Sequence, residues 1–190
     1  MKVIMLDIDG CLNSERFYCN RIQWKYRKFF DILKALKIFN IWKYINRTDE
    51  SYYLDNLDKE ALLFLKDIID SVDDCKIVIS SSWRYGEEEK DIEYFNNLFN
   101  KIVDLGNVVI GSTPRTNERM RGREIELWLE NYKNKFNEEI ENYVIIDDDS
   151  DFYDYQILKH FVHCDNEFGL TKNKAYKVKY ILNGNKHLYV

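Results

Sequence analysis

One proline and seven glycines among 190 residues leave no stretch that reads as a flexible linker between domains. No run approaches the roughly 18 apolar residues that span a bilayer. The apolar run at the start, within MKVIMLDIDG, is short and ends in acids, which does not suit a signal peptide. Four cysteines, Cys11, Cys19, Cys75 and Cys164, are scattered without a CxxC pair. Buried, reduced thiols in a cytoplasmic protein are therefore expected, rather than a disulfide framework or a zinc site. His160, His163 and His187 lack metal-ligand spacing, so neither a zinc role nor a catalytic role is assigned to them. No internal repeat and no low-complexity segment is visible.

What is present is core material and unevenly placed charge. Hydrophobic residues make up 45% of the chain and aromatics 15%, ample for one buried core, so residues 1–190 are read as a single domain. The net charge is -5, yet between Arg16 and Arg47 nine Lys or Arg residues face one acid, Asp31. This is a basic island in an acidic protein.

Apolar runs at Lys2–Leu6, Lys76–Ile79, Val108–Gly111, Tyr143–Ile146 and His160–His163 read as strands. Helical spacing is seen over residues 16–46, where a pair of helices is expected, and over Asp55–Val72, with Asp58 or Asn56 as its cap. It recurs over Glu87–Asn100, Glu118–Tyr132 and Lys172–Leu182. The strands are apolar at every position rather than every second one, the mark of a parallel sheet covered on both faces. Ligands of such sheets sit beyond the carboxyl ends of the strands. Three strands end there in polar clusters: Asp7-Ile8-Asp9-Gly10, Ser80-Ser81-Ser82-Trp83-Arg84 and Asp147-Asp148-Asp149.

Carboxylates crowded without countercharge raise one another's pKa, and a hard divalent cation relieves the cost. Asp7, Asp9 and one or more of Asp147, Asp148 and Asp151 can offer oxygens to Mg²⁺. Asp7 can attack phosphorus to form an aspartyl-phosphate, with Asp9 as general acid and then base. Gly10 permits a sharp turn toward substrate. Ser80 can donate to phosphoryl oxygens, with Ser81 beside it. Arg84 fits a phosphate contact and a structural clamp equally well. Trp83 reads as core or cleft wall ahead of a base-stacking platform, and Asp149 as merely exposed. Thr113, Arg115 and Arg119 read as a solvated loop ahead of a substrate rim.

DIDGCL after a strand resembles motif I of the haloacid dehalogenase (HAD) superfamily, KIVIS its motif II, and VIIDD followed by Asp151 its motif IV. More narrowly, SSSWR, IGSTP, RGREIELWL, IDDDSDF and GLT are similar to the HAD domain of Swiss Army Knife RNA repair proteins. The RGREI stretch is also similar to the polynucleotide 3′-phosphatase domain of phage-type end-healing enzymes. The resemblance implies a three-layer Rossmann-like α/β fold with a mainly parallel five-stranded sheet in the order 5-4-1-2-3. It implies a small helical cap over residues 13–55, Asp7 as nucleophile and Asp9 as acid/base. It also implies Mg²⁺ held by Asp7, the Asp9 carbonyl and Asp148, with Asp147 alongside. The family's motif III cation is a Lys at the start of the RGREI helix. Here Arg121 is favoured, Arg123 is second and also a substrate contact, and Lys133 or Lys135 are outsiders.

The basic aromatic insertion supports two readings. Its cations and the interleaved Trp24, Tyr26, Trp42 and Tyr44 can track a phosphate backbone and stack bases at RNA or DNA ends. The same residues also suit an amphipathic helix pair packed on the core. The expected activity is Mg²⁺-dependent phosphomonoester hydrolysis, with a nucleic-acid or nucleotide 3′-phosphate as leading substrate. A small-metabolite phosphatase and a catalytically inactive nucleic-acid-binding module are the alternatives. The resemblance to multi-enzyme relatives suggests partner repair enzymes, no membrane partner is expected, and the oligomeric state is left open.

Overall fold

The computed structural model describes residues 1–18 and 56–184; the expected cap helices and most of the basic island lie outside these. Five strands, β1 (Lys2–Leu6), β2 (Cys75–Ile79), β3 (Val109–Ser112), β4 (Asn142–Asp147) and β5 (Phe161–His163), form one sheet in the order β3-β2-β1-β4-β5. Every pairing is parallel. Strand order and fold class are those the resemblance implies. The helices are α1 (Lys59–Ser71), α2 (Glu88–Ile102), α3 (Arg121–Phe136), α4 (Asp154–His160) and α5 (Lys172–Leu182).

The all-apolar strands split their side chains between two cores, as the two-residue pleat requires. Ile4, Leu6, Ile77, Ile79, Val144 and Ile146 face a core shared with α1, α2 and α5. Val3, Met5, Val78 and Ile145 face a second one with α3 (Ile125, Trp128) and Phe152 ahead of α4. The sheet is thus the middle of three layers.

Asp58 caps α1, its side chain accepting from the Glu60 N–H at 2.9 Å. Two expectations are corrected. The third helix starts at Arg121 rather than Glu118, because Arg119 takes a left-handed φ of 54° and the first turn is capped from elsewhere, by Asp151 accepting from the Arg121 N–H at 3.1 Å. The helix Asp154–His160 was not foreseen; seven residues running straight into β5 carry too little periodicity to show.

β3 lies at one edge of the sheet. There Asn96 of α2 donates from Nδ2 to the Val109 carbonyl and accepts from the Val109 N–H at Oδ1, both at 3.0 Å. A side-chain amide occupies the place a further strand would take.

Candidate active site

The register puts the chemistry in one row. Leu6 lies between Ile79 and Ile146 across the sheet, so the residues after them, Asp7, Ser80 and Asp147, leave the carboxyl edge side by side. Backbone bonds carry the ladder one step past the strands: Asp7 N–H to Ile146, Ser80 N–H to Leu6, Thr113 N–H to Ile79 and Cys164 N–H to Asp147. Neighbouring strands stand about 4.8 Å apart, so side chains from adjacent strand ends can share one ligand.

Asp7 is 2% exposed and Asp147 not at all. Arg121, in the first turn of α3, brings Nη1 to 3.3 Å from Asp7 Oδ1 and 3.2 Å from Asp147 Oδ2. The same nitrogen donates to the Ser80 carbonyl. Neither Asp7 Oδ1 nor Asp147 Oδ2 accepts a hydrogen bond. Burial pushes the Asp7 carboxyl up to about 6, against the lowering effect of Arg121. Burial and the Asp7 charge together push Asp147 up to about 8. Burial alone would lower the Arg121 pKa; Asp7, Asp147 and Asp151 outweigh it and raise the pKa, so the guanidinium stays charged.

Asp148 completes a cluster in which one oxygen from each of Asp7, Asp147 and Asp148 lies within 4.8 Å of the others. Gly10 makes room for it. Its φ is 68°, and a β-carbon there would fall 2.3 Å from Asp148 Oδ2. The fit to Mg²⁺ rests on this donor set: hard oxygens only, two buried and lacking hydrogen bonds, and a net negative charge that one arginine does not balance. Asp151 instead accepts from the Arg121 N–H and so caps α3.

Asp9 is exposed, and its carboxylate is not among the three that cluster. Its Oδ1 accepts from Asn13 Nδ2 at 2.8 Å, and its Oδ2 from Ser82 Oγ at 3.2 Å and Trp83 Nε1 at 3.0 Å. Ser81 is fully buried; its side chain favours the charged form of Asp7, and its hydroxyl accepts from the Trp83 N–H. The Ser80 hydroxyl is buried beside the carboxylates without a partner.

Three residues considered as substrate contacts have partners within the protein. Arg84 is 7% exposed and spends its donors on the Ser81 and Thr113 carbonyls, the Thr113 hydroxyl and Glu124 Oε2, so it is a clamp. Arg123 pairs instead with Glu126 at 3.0 Å and Glu130 at 3.8 Å on the outer face of α3. Gly10 gives its N–H to Asn13 Oδ1 at 2.9 Å, and its part is to admit Asp148. Thr113 is buried rather than solvated, while Arg115 is exposed and ties its Nη2 to the Ser82 and Arg84 carbonyls at 3.2 and 2.6 Å. Lys133 pairs with Glu139 on the surface, far from any motif III role. Asn13, Ser82 and Trp83 were not singled out as partners of Asp9. An asparagine four residues after Asp9 in a glycine turn was the one local signal.

Among the described residues Cys11, Cys75 and Cys164 are free and buried, and no helix is long and apolar enough to cross a membrane. No curated protein and no solved structure matches the chain. A family model described as the HAD domain in Swiss Army Knife RNA repair proteins matches residues 3–175, a span that holds the sheet from the second residue of β1 onward and the whole carboxylate row. The chain therefore belongs to this family of HAD domains, whose chemistry is that of phosphatase-like hydrolases.

Proposed function

We propose that this chain is a Mg²⁺-dependent phosphomonoester hydrolase that works through an aspartyl-phosphate on Asp7, with a nucleic-acid or nucleotide terminal phosphate, above all a 3′-phosphate, as substrate. The observation that carries the chemistry is the buried pair Asp7 and Asp147, bridged by Arg121 through Asp7 Oδ1 and Asp147 Oδ2, two oxygens that accept no hydrogen bond. A protein that wanted only stability would fill such a place with apolar side chains. Asp7, Asp147 and Asp148 would hold Mg²⁺, which supplies charge neutralisation for the carboxylates and the phosphoryl oxygens.

Arg121 keeps Asp7 ionised and aligned, and presents a positive charge to the phosphoryl group. Ser80 offers its unpartnered hydroxyl to a phosphoryl oxygen. An Asp7 oxygen forms a bond to phosphorus as the phosphorus–leaving-oxygen bond breaks, and Asp9 gives that oxygen its proton. Water then attacks the phosphorus of the aspartyl-phosphate, losing a proton to Asp9, and Asp7 departs with both its oxygens. The net change is ester plus water to alcohol plus phosphate.

The substrate reading is supported by the nine cations between Arg16 and Arg47 and by the repair proteins from which the family takes its description. The test is phosphate release from a 3′-phosphorylated RNA oligonucleotide and from p-nitrophenyl phosphate, with Mg²⁺ or with EDTA, by wild type and by Asp7→Asn. Release that needs both Mg²⁺ and Asp7, and favours the oligonucleotide, is expected. Equal rates on both substrates would remove the nucleic-acid reading. Release by Asp7→Asn would remove the mechanism.

A further inference from the structure

Asp9 needs aim as well as a proton, because it must meet the leaving oxygen in one step and a water in the next. Its carboxylate has about four acceptor positions, two on each oxygen. Oδ2 receives two donors, Ser82 Oγ and Trp83 Nε1, and Oδ1 receives one, Asn13 Nδ2. We propose that Asn13, Ser82 and Trp83 are positioning residues that cradle Asp9, filling Oδ2 and leaving one acceptor position on Oδ1 as the place where its proton is carried. The proposal rests on the hydrolase reading above.

The cradle is itself held firmly. Asn13 cannot turn its amide over, because its Oδ1 already accepts the Gly10 N–H at 2.9 Å. That bond also joins the cradle to the turn that admits Asp148. The other two donors stand on the loop that follows β2, which is pinned at successive residues. The Trp83 N–H donates to Ser81 Oγ, Arg84 Nε to the Ser81 carbonyl, and Arg115 Nη2 to the carbonyls of Ser82 and Arg84. Arg84 is in turn locked to buried Glu124 at 3.0 Å. Motifs I and II, 73 and 74 residues apart at these contacts, thus meet on one carboxylate. Two pinned loops fix an exposed side chain that would otherwise sample several rotamers.

A misaimed proton donor hurts poor leaving groups most, because a nitrophenolate departs without help and an alkoxide does not. The test is therefore the ratio of kcat/KM on an alkyl phosphomonoester to kcat/KM on p-nitrophenyl phosphate, which reports expulsion of the leaving group and not the hydrolysis of the aspartyl-phosphate that both substrates share. The variants are Trp83→Phe, which keeps a ring and loses the N–H, Ser82→Ala, Ser82→Thr and, as reference, Asp9→Asn. Removing one donor should lower the alkyl rate roughly tenfold, the rate equivalent of one hydrogen bond to a charged group, while the aryl rate changes far less. Ser82→Thr should restore the ratio, and Asp9→Asn should show the same bias in stronger form. Equal losses on both substrates, or a ratio unchanged from wild type, overturn the cradle while leaving the hydrolase intact. Absence of any Asp7-dependent turnover by wild type overturns the hydrolase reading and the cradle with it.

Discussion

A β-carbon at residue 10 would lie 2.3 Å from Asp148 Oδ2, on a backbone whose φ of 68° side chains already disfavour. Gly10→Ala is therefore expected to cost the fold about 1–2 kcal/mol through the backbone. It should also weaken Mg²⁺ binding roughly 10–100-fold, the usual penalty for disturbing what supports a ligand. Calorimetric titration with Mg²⁺ reads this directly, and unchanged affinity would show that Asp148 is not a ligand. Arg121 admits a second test. Arg121→Ala leaves two buried carboxylates facing each other with no cation between them. The expected loss in kcat is on the order of 10²–10³. Arg121→Lys, a charge without the fork, should recover part of it in the phosphate-release assay.

The loop behind β2 and the start of α3 are tied by Arg84 and Glu124, each almost fully buried. Glu124→Ala strands the guanidinium, and a loss of about 3–5 kcal/mol is expected in urea unfolding. The pair Arg84→Met with Glu124→Leu should be milder than the single change, because no charge is left behind. Elements such as β1, β2 and β4 were plain in the sequence, since an all-apolar run has one place to go in a covered parallel sheet. The row Asp7, Ser80 and Asp147 was plain for the same reason: strand ends converge whatever the loops do. Loop-borne and distant partners were hidden. The cap on α3 comes from Asp151, thirty residues downstream, so its first turn was misplaced. Arg84 read equally well as clamp or contact, because only the fold brings Glu124 beneath it. Asn13 and Trp83 meet Asp9 through two independent turns, and no spacing rule connects them.

For the molecule as a whole, the carboxylate row is a stability cost that depends on pH. Asp7 and Asp147 both have folded-state pKa values raised above the ordinary 3.8, to about 6 and about 8. The folded chain then holds protons more tightly than the unfolded chain, so stability falls as pH rises between about 4 and about 8, and the loss is complete above about 8. In EDTA, melting temperature should drop from about pH 4 to about pH 8 and level off above it, and Mg²⁺ should restore most where the loss is greatest. Asp147→Asn should flatten that slope in a thermal-shift series and remove the Mg²⁺ effect; a slope equal to wild type would place the cost elsewhere.

The amide of Asn96, laid along Val109 at the rim of the sheet, has a bearing on life in a crowded solution. A bare strand margin is adhesive: two copies can zip together there and begin a pile that no chaperone easily separates. One planar amide, the size of a single peptide unit, works as a stopper. Asn96→Ala would leave the carboxylate row untouched, yet light scattering of concentrated samples should reveal self-association that the parent chain resists.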